Sequence, residues 1–252
     1  MLILRSFLFN VAFYANLVFW MIVLLPALAL PRRVFIRGAK YWAWTSMWLM
    51  RVIVGTRVEL RGLDRIPPGG LLVAAKHQSV WETFALLTLF ADPAFILKRE
   101  LMWIPFFGWY TWKGGSVPVN RKGGAQALLR MMTRAKGEIQ KGRQILIFPE
   151  GTRRPAGAAP AYKFGIGHLY QHLGAPCLPV ALNSGLFWSR RKFLRRPGTI
   201  VVEILDIIPP GLPRNAFFKE MQDRIETASD RLVAEGRQEL ARLGVASDSP
   251  GI

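Results

Sequence analysis

The chain begins with a run that is almost wholly apolar from Phe7 to Leu30, broken only by Asn10 and Asn16. That length meets the roughly 20 residues a bilayer span requires and exceeds the roughly 7–15 of a signal-peptide core. Ala27-Leu28-Ala29 has the look of a cleavage site, but Pro31-Arg32-Arg33 follows at once, a flank that favours retention on the cytoplasmic side. The pattern therefore predicts an uncleaved anchor. A second apolar block, Tyr41 to Gly55, carries Trp42, Trp44 and Trp48 and is short for a span. It predicts an interfacial or re-entrant helix paired with the first, or a pair lying shallowly in one leaflet.

From Thr56 onward short β-like runs alternate with helical stretches. Strands are predicted at 57–61, 71–75, 94–98, 116–120, 144–148, 177–182 and 199–206, and helices at 81–90, 124–140 and 164–173. Phe218, Met221, Ile225, Ala228 and Leu232 recur at three- and four-residue steps in a last amphipathic helix, 217–243. The alternation predicts an α/β domain with a mixed sheet flanked by helices over 56–246, preceded by a membrane-anchoring helical segment over 1–55.

Composition sharpens this picture. Apolar residues make up 51% of the chain, high for a soluble protein. Thirty-four Lys and Arg against 16 Asp and Glu give a formal charge of +18, so anionic partners are expected. Residues 1–56 hold six basic side chains and no acidic one. The single Cys177 excludes an intramolecular disulfide and a cysteine-based metal cage. Phe187 to Arg196 interleaves cationic and large apolar residues, a mixture that suits a lipid interface or an acidic carrier protein and is also used for nucleic acid. The N-terminal anchor favours the membrane, and no nucleic-acid partner is expected.

Two motifs carry chemistry. Lys76-His77-Gln78-Ser79-Val80-Trp81-Glu82 follows the apolar run 71–75, and Phe148-Pro149-Glu150-Gly151-Thr152-Arg153 follows 144–147. On one continuous helix, residues five apart diverge by about 140°. His77 and Glu82 therefore meet only if His77 sits in the loop ahead of the helix and Glu82 in its first turns. One ring nitrogen then faces the carboxylate and the other is left to take a proton from a hydroxyl. A lone histidine near a helix start is more commonly a surface residue, and the second motif is what overturns that reading. Gly151 permits close backbone approach to a ligand, and the Arg153 fork matches a phosphate, with Arg121 converging on the same anion.

With His77–Glu82, Gly115–Arg121, the hexapeptide 148–153 and Leu178-Pro179-Val180-Ala181 in this order, the sequence resembles the lysophosphatidic acid acyltransferase family, which acylates 1-acyl-glycerol-3-phosphate. The resemblance runs from about Val58 to Asp206. It implies that His77 deprotonates the acceptor hydroxyl for attack on an acyl thioester while Glu82 holds the imidazole. It also implies that Arg121, Glu150, Gly151, Thr152 and Arg153, with Lys98 and Lys163, form the substrate-binding set. Backbone amides near the helix start are expected to stabilise the oxyanion. Implied partners are membrane lipid, a lysophospholipid acceptor and acyl-CoA or acyl-carrier protein as donor, with no metal or cofactor. The implied location is the inner membrane with the catalytic domain facing the cytoplasm. One departure stands out: the family pattern has Asp where this chain has Glu82. Other readings are acylation of another lyso-lipid, such as a lyso-ornithine lipid, or a non-catalytic basic membrane-binding protein.

Overall fold

The computed structural model describes residues 1–120 and 123–246. Two helices open the chain, α1 (Leu2–Val23) and α2 (Arg32–Leu49), continued by a π-helical turn, Met50–Val54, that Gly55 ends with φ +88°. Then follow β1 (Thr56–Arg61), β2 (Leu71–Ala75), α3 (Glu82–Ala85), β3 (Pro93–Lys98), α4 (Phe107–Lys113), β4 (Val117–Val119), α5 (Gly124–Gln140), β5 (Gln144–Ile147), α6 (Gly165–Leu173), β6 (Cys177–Leu182), α7 (Ser184–Phe187), β7 (Gly198–Ile204) and α8 (Arg214–Arg242). The seven strands form one sheet in the order β1-β7-β6-β2-β5-β3-β4. Every pairing is parallel except β6 with β7, so the sheet is mixed.

Strand β2 is buried at all five positions because both sheet faces are covered. Its side chains alternate between two cores. Leu71, Val73 and Ala75 point to a layer shared with Phe9, Phe13, Met50 and Phe84. Leu72 and Ala74 point to the opposite layer, filled by Met131, Leu169, Phe217, Met221 and Ile225 from α5, α6 and α8.

Three predicted elements come out differently. Residues 81–90 do not form one helix: α3 gives way to a 3₁₀ turn, Leu86–Thr88. The hydroxyls of Thr83 and Thr88 bond back to the carbonyls of Val80 (2.5 Å) and Ala85 (2.7 Å), a local competition that interrupts regular helix. Helix α2 starts at Arg32 rather than Tyr41, with Pro31 as its N-cap. Its polar first turns are held by Arg32 against Asp92 (2.6 Å) and by Lys40 donating to the Phe90 carbonyl (2.6 Å). The basic aromatic stretch 187–196 is only partly a surface, since Phe187, Trp188, Arg195 and Arg196 are buried.

Trp188 seats the hairpin. The rings of Phe9 and Phe13 meet it edge-on at 5.2 and 5.1 Å, and the Arg195 guanidinium covers it at 4.5 Å. Burial lowers the pKa of Arg195 to about 10. Helices α1 and α2 run antiparallel, joined by Asn16 donating to Thr45 and Ser46 (3.0 Å each) and by stacked Trp20 and Tyr41. The outer stripe of α1, with Leu4, Phe7, Val11, Val18 and Ile22, is exposed, as are Tyr41, Trp44 and Trp48 of α2. By length and composition α1 is apolar enough to cross a membrane.

Candidate active site

Strand β2 delivers His77. The Lys76 amide still bonds the Val180 carbonyl (3.0 Å), and the chain then leaves the sheet between β5 and β6. His77 sits in that loop and Glu82 is the first residue of α3, the placement their spacing requires. The His77 Nδ1 lies 3.0 Å from Glu82 Oε1. A carboxylate only accepts, so Nδ1 carries the hydrogen and Nε2 keeps the free lone pair. Phe148 stacks on the imidazole at 4.0 Å with 15° between planes, which fixes the ring from the hexapeptide side.

Glu82 is fully buried and richly held. Its Oε1 also accepts from the amides of Gln78 (2.7 Å) and Ser79 (2.6 Å), and its Oε2 accepts from the Ser184 hydroxyl (2.7 Å). A side chain folded back onto amides of the preceding loop has the logic of a capping interaction. This arrangement changes one expectation. The amides of Gln78 and Ser79 are committed to Glu82 and that of Trp81 to the Ser79 hydroxyl (3.2 Å), so these three are not free to hold an oxyanion.

The hexapeptide turns at the end of β5, the neighbour of β2. Gly151 adopts φ +67°, a conformation that disfavours a side chain, and its amide closes the turn on the Phe148 carbonyl (2.9 Å). Glu150 points inward rather than to solvent. Its Oε1 pairs with Lys76 Nζ (3.1 Å) and its Oε2 accepts the His77 amide (3.3 Å). A second carboxylate, Glu226 of α8, takes the same ammonium at 2.7 Å and accepts from the Tyr162 hydroxyl at 2.6 Å. Burial, foremost, holds the Glu150 pKa above its ordinary value, with Lys76 pulling the other way. Burial and Glu226 also push the Tyr162 hydroxyl pKa up. Glu150 therefore shapes the loop that carries His77.

Thr152 is exposed and Arg153 half-buried, its carbonyl accepting from Arg190 (2.9 Å). Lys98 is exposed where β3 ends, paired in register with Val119. The Lys163 amide bonds the Pro149 carbonyl (2.9 Å), so its exposed side chain starts beside the hexapeptide. These groups thus gather at the carboxyl ends of adjacent parallel strands, the edge where open α/β sheets bind ligands. Arg121 lies outside the described residues. Sequence reasoning missed Ser184, Tyr162 and Glu226, which reach the site from remote elements. Lys76 stood within the motif, and its place directly after an all-apolar strand was the signal for its burial.

Residues 57–183 match the family model described as Acyltransferase. The chain is 39% identical over 163 residues to a 1-acyl-sn-glycerol-3-phosphate acyltransferase of Pseudomonas aeruginosa, covering 65% of this chain and 63% of that one. It is 28% identical over 211 residues to the human 1-acyl-sn-glycerol-3-phosphate acyltransferase alpha, covering 81% and 73% respectively. Its fold is that of the 1-acyl-sn-glycerophosphate (LPA) acyltransferase PlsC of Thermotoga maritima, with a TM-score of 0.76 at 21% identity over 92% of this chain and 99% of that chain. With its matched block spanning His77, Glu82 and the hexapeptide, the chain belongs to the acyltransferase family.

Proposed function

We propose that the protein transfers a fatty acyl group from an acyl thioester to the free hydroxyl of 1-acyl-glycerol-3-phosphate, making phosphatidic acid in phospholipid synthesis. The observation that carries this reading is the His77–Glu82 pair at 3.0 Å on the sheet edge beside the hexapeptide turn. His77 Nε2 takes the hydroxyl proton as the oxygen attacks the thioester carbonyl. The tetrahedral intermediate collapses with cleavage of the C–S bond, and the imidazolium returns its proton to the leaving thiolate. Glu82 keeps the useful tautomer and stabilises the imidazolium. Arg153, with Lys98 and Lys163, supplies the cationic rim for the acceptor phosphate. Both acyl-CoA and acyl-carrier protein are anionic thioester donors suited to a chain of charge +18.

The reaction is placed at a membrane. The reading that fits α1 is a helix lying along one leaflet, because Phe9 and Phe13 on its inner side pack on Trp188 while its outer stripe is apolar and exposed. Arg32 and Arg33 beside the hairpin turn favour the cytoplasmic face of the inner membrane.

The test offers lysophosphatidic acid or the phosphate-free monoacylglycerol to purified protein with either donor, beside an Arg153→Ala variant. Phosphatidic acid is the expected product, and the variant should raise the KM for lysophosphatidic acid by about 10–100-fold, the worth of lost charge-assisted hydrogen bonds. Equal use of the two acceptors, or an unchanged KM, would remove the phosphate clamp.

A further inference from the structure

Between β3 and β4 lies an apolar surface that acyl transfer does not use. Residues 103–112 expose Trp103, Ile104, Phe106, Phe107, Trp109 and Trp112, with Trp103 at 76% and Trp112 at 67%. Single exposed apolar residues are ordinary, but a contiguous aromatic patch marks an interaction surface. The inner side of α4 is docked on the N-terminal hairpin. Tyr110 stacks on Phe35 at 5.7 Å, and its hydroxyl donates to the Met21 carbonyl. Leu28 of the hairpin turn lines one apolar hollow with Trp109 and Trp112. The patch thus adjoins the turn between α1 and α2.

We propose that residues 103–112 form a second membrane-contact element, seating their tryptophans at the headgroup boundary of the leaflet that receives the hairpin. This rests on the membrane reading above and extends it to the rim of the site. Charge favours an anionic lipid surface as the occupant. Lys98, Arg99 and Lys113 bracket the segment against Glu100 alone, and the Arg99 guanidinium lies 5.9 Å from the Trp103 ring. The hairpin beside it holds six basic residues and no acidic one. Exposed Trp flanked by cations is the composition that settles at the membrane–water boundary. The segment begins five residues after Lys98, so the contact would hold the phosphate-binding rim at the depth where a lysophospholipid presents its head group.

The experiment attaches an environment-sensitive thiol fluorophore to Trp112→Cys, to Trp44→Cys of the hairpin and to Lys219→Cys, exposed on α8. Cys177 is fully buried and does not compete for label. Each protein is mixed with phosphatidylcholine–phosphatidylglycerol vesicles with and without brominated acyl chains. The labels at 112 and 44 should shift to the blue and lose fluorescence with brominated lipid, while that at 219 does neither. A label at 112 that behaves like 219 while 44 is quenched overturns the second element and leaves the hairpin anchor standing. Absence of quenching at both 112 and 44 overturns the membrane reading itself. A concentration-dependent shift at 112 without vesicles, unquenched when they are added, would mean that a second copy covers the patch. Phe107→Cys repeats the measurement at a neighbouring position, so a folding defect at one site does not decide the outcome.

Discussion

Glu82 is one methylene longer than the aspartate of the family pattern, and the structure uses that length. From the first residue of α3 the carboxylate reaches back to His77 and to the loop amides of Gln78 and Ser79, and its far oxygen takes the Ser184 hydroxyl. The five-residue spacing made the His–Glu contact legible, whereas Ser184 is 102 positions away and offers no local pattern. Behind the histidine, Glu150 and Glu226 share the single ammonium of Lys76. Burial, foremost, raises the pKa of Glu150; the shared ammonium opposes that rise and Glu226 adds a little to it. Folded protein therefore keeps this proton over a range in which unfolded chain has lost it. The contribution of Glu150 to stability falls as pH rises from the ordinary 4.5 through the raised folded value. Glu150→Gln mimics the protonated form, so its thermal midpoint relative to wild type should climb from acid to neutral pH. A difference that stays flat or shrinks with pH would contradict the raised pKa of the buried Glu150.

Helices and strands were legible in proportion to their length and the regularity of their apolar pattern. Strands β2 and β6 and helix α5 fall where periodicity predicts them, because each buries a full face or both. Helices α4 and α7 were not read, being 7 and 4 residues long and too short to show a repeat. The stretch 187–196 reads from sequence as a loop of interleaved cationic and apolar residues for an interface, because composition does not show which aromatic turns inward. Trp188 turns inward, and Phe9, Phe13 and Phe84 close around it. Trp188→Ala should therefore cost about 3–5 kcal/mol, the range for truncating a large buried aromatic. Chemical unfolding in detergent measures it. A loss below about 1 kcal/mol, the level of an ordinary surface substitution, would mean that the hairpin does not depend on this seat.

Across the molecule, one sheet brings the site residues together and the N-terminal hairpin exposes an apolar face. The mixed α/β class was legible from the alternation of elements, but the strand order was not. Placing β2 between β5 and β6, which sets His77 beside the hexapeptide, depends on contacts between residues some seventy to a hundred positions apart. We propose that this juxtaposition makes His77 the base of acyl transfer to a lysophospholipid. The most direct test compares wild type with His77→Ala, both shown to be folded by circular dichroism, in phosphatidic acid formation from lysophosphatidic acid and an acyl thioester. Turnover by wild type is expected, with a loss of about 10²–10⁴-fold in the variant, the usual worth of a general base. A folded variant that keeps the wild-type rate, or a wild type that transfers acyl groups from neither acyl-CoA nor acyl-carrier protein, would contradict it.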